Sequence, residues 1–222
     1  MPLYCIFFVD RFLFDMPTQK QPLILFLGHS FVWRLETFVA ASPFPCVSTN
    51  FHLPVSSTVQ FYGIGGRTVP KLRQFDLHVV ARSQPTILIL DIGSNDLCNP
   101  TCTVHDLRAN IIQLVETFHF RYHVTHVIVG QIMPRPSPPA ISPPYNAKVQ
   151  QLNNELCLSL KRIPFASFWW HFQVLRSKPR VFLKDGVHLN RTGNHLLYHS
   201  YRKALFNYFS CRHRGRPQSP TF

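Results

Sequence analysis

The sequence predicts an α/β protein: a three-layer α/β/α sandwich around about five mostly parallel strands. Three observations predict it. Short apolar runs recur along the chain and most stop at a glycine or an aspartate, as strands buried on both faces of a sheet do. Between them lie segments whose apolar residues repeat with the helical period. Strands alternating with helices make βαβ units, and right-handed crossovers then place helices on both faces.

Leu23 to Leu27, ending at Gly28, is the first strand, and Val59 to Tyr62 before Gly63 is the second. Thr86 to Leu90, running into Asp91-Ile92-Gly93, is the third. Val124 to Val129 before Gly130 is the fourth, and Ile163 to Trp169 is the fifth. Leu107, Ile111, Leu114, Val115 and Phe118 form one helical stripe. Thr103 with Asp106 three residues on supplies a cap at its start. Val149, Leu152, Leu156 and Leu160 form a second stripe. Leu197 to Tyr208 carries a third, with Asn190 as its candidate cap. Val69, Leu72, Phe75 and Val79 give a weaker one. The stretch Met133 to Pro144 holds six of the nineteen prolines, so it is a loop after the fourth strand.

The chain has 222 residues, 45% hydrophobic and 15% charged. That is one globular domain, and wholesale disorder is excluded. No apolar run reaches the length that spans a bilayer. Residues 1–21 are expected to be an N-terminal extension, 22–209 the folded domain and 210–222 a basic, disordered tail. Leu3 to Val9 is apolar, but no basic residue precedes it and Asp10-Arg11 cuts the run short; a signal peptide is therefore not expected, and Met16 is a candidate start. The formal net charge is +13, and residues 186–222 carry six basic and no acidic side chains. A weak contact of the tail with nucleic acid or anionic lipid is expected from that charge. The six cysteines include no Cys-x-x-Cys pair, which points to free thiols and an intracellular, cytoplasmic setting. Neither Cys98, Cys102 and His105 nor His119, His123 and His126 has the spacing of a structural zinc site.

The chemistry lies at the strand ends, which in a parallel sheet share one edge. Gly28-His29-Ser30 comes after the first strand, Gly63-Ile64-Gly65-Gly66-Arg67-Thr68 after the second and Gly93-Ser94-Asn95-Asp96 after the third. Asp185-Gly186-Val187-His188 precedes the last helix. A serine hydroxyl needs a base to take its proton. His188 is that base, and Asp185, three residues earlier, fixes the tautomer of its ring. The oxyanion formed on attack needs aimed donors; the backbone N–H groups of Ser30 and Gly66 and the Asn95 amide supply them. Each feature has a plainer alternative: Ser30 as a helix cap, the glycines as an ordinary turn, Asn95 as a turn residue, His188 as a surface histidine. Their joint occurrence in this order is what points to acyl transfer.

These four blocks resemble those of the SGNH (GDSL-like) hydrolase superfamily, across roughly residues 22–208. The resemblance implies a flavodoxin-like sandwich and hydrolysis of esters, thioesters or acetylated sugars without cofactor or metal. It makes Ser30 the nucleophile, Asp185 and His188 its partners, and Ser30, Gly66 and Asn95 the oxyanion donors. One departure stands out: His29 occupies the place of the aspartate usual before the serine, a residue that mainly braces the turn. Two segments, Gly28 to Leu35 and Asp185 to Asn194, further resemble esterase domains in the first open reading frame of some animal non-LTR retrotransposons. The alternative to an active esterase is an inactive module of the same fold that binds RNA or anionic membrane through its basic surface and tail.

Overall fold

A computed structural model describes residues 21–141, 143–177 and 180–214, with the side chains of 211–214 outside the description. The expected extension, the candidate start at Met16 and the end of the tail lie outside the described residues. In chain order the elements are β1 (Leu23–Gly28), α1 (Ser30–Ala40), β2 (Thr58–Gly63), α2 (Val69–Phe75) and α3 (Leu77–Ser83). Then come β3 (Ile87–Asp91), a 3₁₀ turn (Asp96–Cys98), α4 (Val104–Tyr122), β4 (His126–Gly130) and α5 (Tyr145–Leu160). The last are β5 (Ala166–Trp169), α6 (Phe172–Arg176) and α7 (Arg191–Arg214).

The five strands form one sheet in the order β2-β1-β3-β4-β5, and every pairing is parallel. The apolar runs explain the sheet's position. Ile24, Leu25, Phe26 and Leu27 are at most 1% exposed, because alternate side chains enter opposite cores. Leu25 and Leu27 pack with Leu72 of α2, Val80 of α3, Ile111 of α4 and Leu152 of α5. Ile24 and Phe26 pack with Leu35 of α1, Val174 of α6 and Tyr201 of α7. Helices therefore cover both faces, as the alternation of elements predicts. Burying each such side chain contributes about 1.5–3 kcal/mol relative to exposure.

From β1 the chain passes to β2 on one side, and from β2 it crosses to β3 on the other side of β1. The crevice at the C-terminal ends of β1 and β3 is thus the point where strand order reverses, the place where open α/β sheets bind ligands. Ser30 and Asn95 come just after these two strands.

Local signals held where they rested on caps. The Thr103 hydroxyl accepts the Asp106 N–H at 3.0 Å, and Asn190 Oδ1 accepts the Gly193 N–H at 3.0 Å. Boundaries moved elsewhere. β4 and β5 begin two and three residues later than the apolar runs do. The weak stripe of residues 69–79 is two helices, α2 and α3, not one. They break at Asp76, whose buried carboxylate is held by the Arg67 guanidinium at 2.7 and 2.8 Å. The last helix reaches Arg214, five residues into the stretch expected to be tail. No glycine or proline interrupts the chain between Asn194 and Arg214, and the first breaker is Gly215.

Candidate active site

The serine sits on the tight passage from β1 to α1. Gly28 packs so closely on the backbone of Asp91 that a Cβ there would strike the Asp91 carbonyl, so only glycine fits. His29 is extended and caps α1: its Nδ1 accepts the Phe31 N–H at 3.3 Å. The cap is therefore His29 and not Ser30. Ser30 is the first residue of the helix, so its N–H has no carbonyl one turn back and its hydroxyl is free of capping duty.

The glycine loop is fastened from several sides. The Ile64 N–H donates to the Gly28 carbonyl at 3.1 Å, and the Arg67 N–H closes a turn onto Ile64. Gly66 has φ +70°, and an added Cβ would meet no atom within 4 Å. Its glycine requirement is therefore backbone conformation rather than space. Asn95 Nδ2 donates to the Arg67 carbonyl at 3.0 Å, and Asp96 Oδ1 accepts the Val69 N–H at 2.9 Å. Adjacent residues of one block thus clamp the glycine loop. An amide NH₂ has two hydrogens, so the second hydrogen of Asn95 remains for a ligand.

The final block is a turn held by Leu183 donating to the His188 carbonyl at 2.7 Å and Gly186 donating to Leu183 at 3.0 Å. Asp185 Oδ1 accepts the N–H groups of Val187 and His188, each at 2.9 Å. Its Oδ2 lies 2.8 Å from His188 Nδ1. His188 Nε2 lies 3.1 Å from Ser30 Oγ, across 158 positions of sequence. Partial burial works to raise the Asp185 pKa, but the donors of His188 and Val187 outweigh it and lower it to about 2. Because the folded value lies below the ordinary 3.8, ionised Asp185 supports the fold above that pH. The support fades as pH falls through 2.

Ser30, Gly66, Asn95 and His188 line a cavity of about 270 Å³, together with Met133 and Arg135 from the proline-rich loop. The structure thus brings together the predicted serine, glycine, asparagine and histidine, with Asp185 behind the histidine. Larger grooves of about 670 and 780 Å³ run along β5. Neither contains any of these residues, and convergent polar groups, not size, mark a reaction site.

Sequence reasoning missed a buried polar cluster under the serine. His29 Nε2 lies 3.1 Å from Asp91 Oδ1 and 3.2 Å from Ser94 Oγ. Tyr201 donates to Asp91 Oδ2 at 3.0 Å. Burial works to raise the Asp91 pKa, but His29, His171 and Tyr201 together hold it below the usual carboxylate value. The fully buried His171 is pushed down to about 4 by desolvation, against the pull of Asp91. The serine turn is thus braced by His29 before the serine and by an aspartate at the end of β3. Arg135 was also missed. Its guanidinium lies over the Tyr145 ring at 4.6 Å and reaches Cys98 Sγ at 3.1 Å. In sequence Arg135 is one charge among six loop prolines; only the fold brings it to the cavity.

Among the described residues, neither histidine- and cysteine-rich stretch forms a metal cluster. Cys98 faces Arg135 and Ser94, and His119 bonds the Val124 carbonyl at 2.8 Å.

The model of the GDSL-like Lipase/Acylhydrolase family matches residues 41–196, a span that holds Gly66, Asn95, Asp185 and His188. No curated protein matches the chain. Among solved structures, a GDSL-like lipase from Bacteroides thetaiotaomicron superposes with TM-score 0.66 at 21% identity, covering 86% of this chain and 91% of that one. Axe2, an acetylxylan esterase from Geobacillus stearothermophilus, superposes with TM-score 0.60 at 17% identity, covering 82% and 93%. At such identities the structures establish the α/β fold, and the family match carries the assignment. The chain belongs to the GDSL-like lipase/acylhydrolase family and is a hydrolase.

Proposed function

We propose that the protein is a serine esterase that cleaves short acyl esters, acetyl esters among them, through Ser30, His188 and Asp185. The observation that carries this reading is the continuous contact from Asp185 through His188 to Ser30, at 2.8 and 3.1 Å. Ser30 Oγ attacks the ester carbonyl while His188 Nε2 takes its proton. Asp185 accepts the far ring N–H, fixing the tautomer and stabilising the imidazolium that forms. The N–H groups of Ser30 and Gly66 and the free Asn95 hydrogen receive the oxyanion. His188 then returns its proton to the leaving alcohol, and water repeats the sequence on the acyl-enzyme. The cavity, about 270 Å³, is below the usual range for drug-sized ligands of roughly 300–1,000 Å³, which favours a small acyl group. Two of the similar Axe2 structures are catalytic mutants, one at a serine and one at a histidine. That is consistent with the same pair of residue types acting here.

The test is hydrolysis of p-nitrophenyl acetate by the native chain and by Ser30→Ala. The expected outcome is turnover that falls on the order of 10⁴–10⁶-fold in the variant. Equal rates in the two proteins would dismiss the assignment, and no turnover in either would favour the binding module instead.

The finer resemblance to retrotransposon esterase domains is part of the same proposal, as are a domain start near residue 22 and a weak contact of the basic C-terminal segment with RNA or anionic lipid. An intracellular site is supported by four described cysteines, Cys46, Cys98, Cys102 and Cys157, all unpaired. Among the described residues no helix is long and apolar enough to cross a membrane.

A further inference from the structure

Three metal-ligating side chains meet away from the reaction site. Cys46 lies in the connection between α1 and β2, and His195 and His199 lie on α7. A four-residue spacing puts both imidazoles on one face of the helix, and their ring centroids are 4.5 Å apart. One ligand atom from each of the three residues lies within 4.8 Å of the others. It is the only such group among the described residues.

The surroundings hold these groups in place without occupying them. The ring of Phe44 stands 5.5 Å from that of His195, edge to face. Further along the same connection, the Ser48 N–H donates to the Tyr198 hydroxyl at 3.0 Å, and that hydroxyl donates to the Ser48 carbonyl. Cys46 is thus carried by a segment fastened to α7 on both sides. His195 Nδ1 is buried and has no hydrogen-bond partner. The neighbouring cation, Arg202, is engaged with the Phe51 carbonyl at 2.9 Å and lies over the Phe206 ring.

We infer that Cys46, His195 and His199 form a zinc-binding site that clips the α1–β2 connection to α7. One thiolate and two imidazoles are a donor set suited to Zn²⁺. On binding, the Cys46 thiol gives its proton to solvent as the zinc–sulfur bond forms, the two neutral imidazoles each donate a lone pair, and water fills the fourth position. Tetrahedral bonds of 2.0–2.3 Å set ligand atoms roughly 3.3–3.8 Å apart, so the site closes by about 1 Å on binding. None of the three residues lines the cavity that holds Ser30 and His188. The metal's role is therefore to fasten the fold, and it stabilises by binding the folded state alone.

The experiment strips the full chain with a chelator and titrates it with Zn²⁺ against a colorimetric indicator, then with Co²⁺ while recording the absorption spectrum. The expected result is stoichiometric Zn²⁺ binding. With Co²⁺, a thiolate-to-cobalt charge-transfer band and tetrahedral d–d bands appear. Cys46→Ser abolishes the charge-transfer band, whereas Cys98→Ser retains it. His199→Ala weakens Zn²⁺ binding by at least the roughly 10–100-fold typical of losing even an outer partner of a ligand. Cys46 is exposed, so its replacement by serine leaves the core intact. No stoichiometric binding by the native chain, or a charge-transfer band that persists in Cys46→Ser, overturns the proposal. Neither readout uses esterase activity.

Discussion

Two aspartate–histidine pairs stand near Ser30, and they differ in burial. In the pair of Asp185 and His188 the side chains are 44% and 24% exposed. In the pair of Asp91 and His29 they are 5% and 2% exposed. The open pair sits on a turn and reaches the serine hydroxyl; the closed pair sits beneath and holds the backbone on which that serine stands. Both carboxylates are kept below their ordinary pKa, by different means. Asp185 draws on N–H groups of its own turn, three residues away at most. Asp91 draws on His29, His171 and Tyr201, gathered from three other parts of the chain. Under the proposed mechanism the same two residue types serve chemistry where water and substrate can enter, and architecture where they cannot.

Substitutions at the two pairs should therefore separate rate from stability. Asp185→Asn leaves the turn's shape largely in place but favours the wrong ring tautomer, and a loss of about 10⁴-fold in kcat is expected, with a fall in melting temperature smaller than that of Asp91→Ala. Near-native kcat would show that Asp185 only shapes the turn. Asp91→Ala should do the reverse. Removing the Asp91 carboxylate leaves the buried His29 and Tyr201 donors unpaired, at about 1–3 kcal/mol each, which urea unfolding would measure. A variant as stable as the native protein would show that the closed pair braces nothing. Asn95→Ala lies between the two, since Asn95 both clamps the glycine loop and faces the cavity. Loss of one oxyanion donor lowers kcat by about 10²–10³-fold, so kcat should fall much more than KM rises. A purely structural role would instead lower stability and leave kcat intact.

The same contrast marks what the sequence reveals. The open pair is legible because its members are three residues apart and the turn makes its own hydrogen bonds. The strands are legible because burial on both faces demands uninterrupted apolar runs, as at Ile24 to Leu27 and Ile87 to Leu90. What depends on contact between distant segments is not. His29 reads as a departure from the usual aspartate until Asp91 appears beside it. The break between α2 and α3 has no local breaker in sequence; it lies where Asp76 is drawn to Arg67. Cys46 and His195 are 149 positions apart, so no spacing rule finds them, whereas the closely spaced cysteines and histidines that do catch the eye face other partners.

The account's central claim is that the open pair activates Ser30. Labelling the native chain with a fluorophosphonate tests it most directly, because this reagent modifies a serine only when a base removes its proton and oxyanion donors receive the phosphoryl oxygen. The account predicts one adduct per chain, located by peptide mass spectrometry on Ser30, absent in Ser30→Ala and formed far more slowly in Asp185→Asn. A native chain that takes up no label, or carries it on another residue and keeps it in Ser30→Ala, would contradict the account.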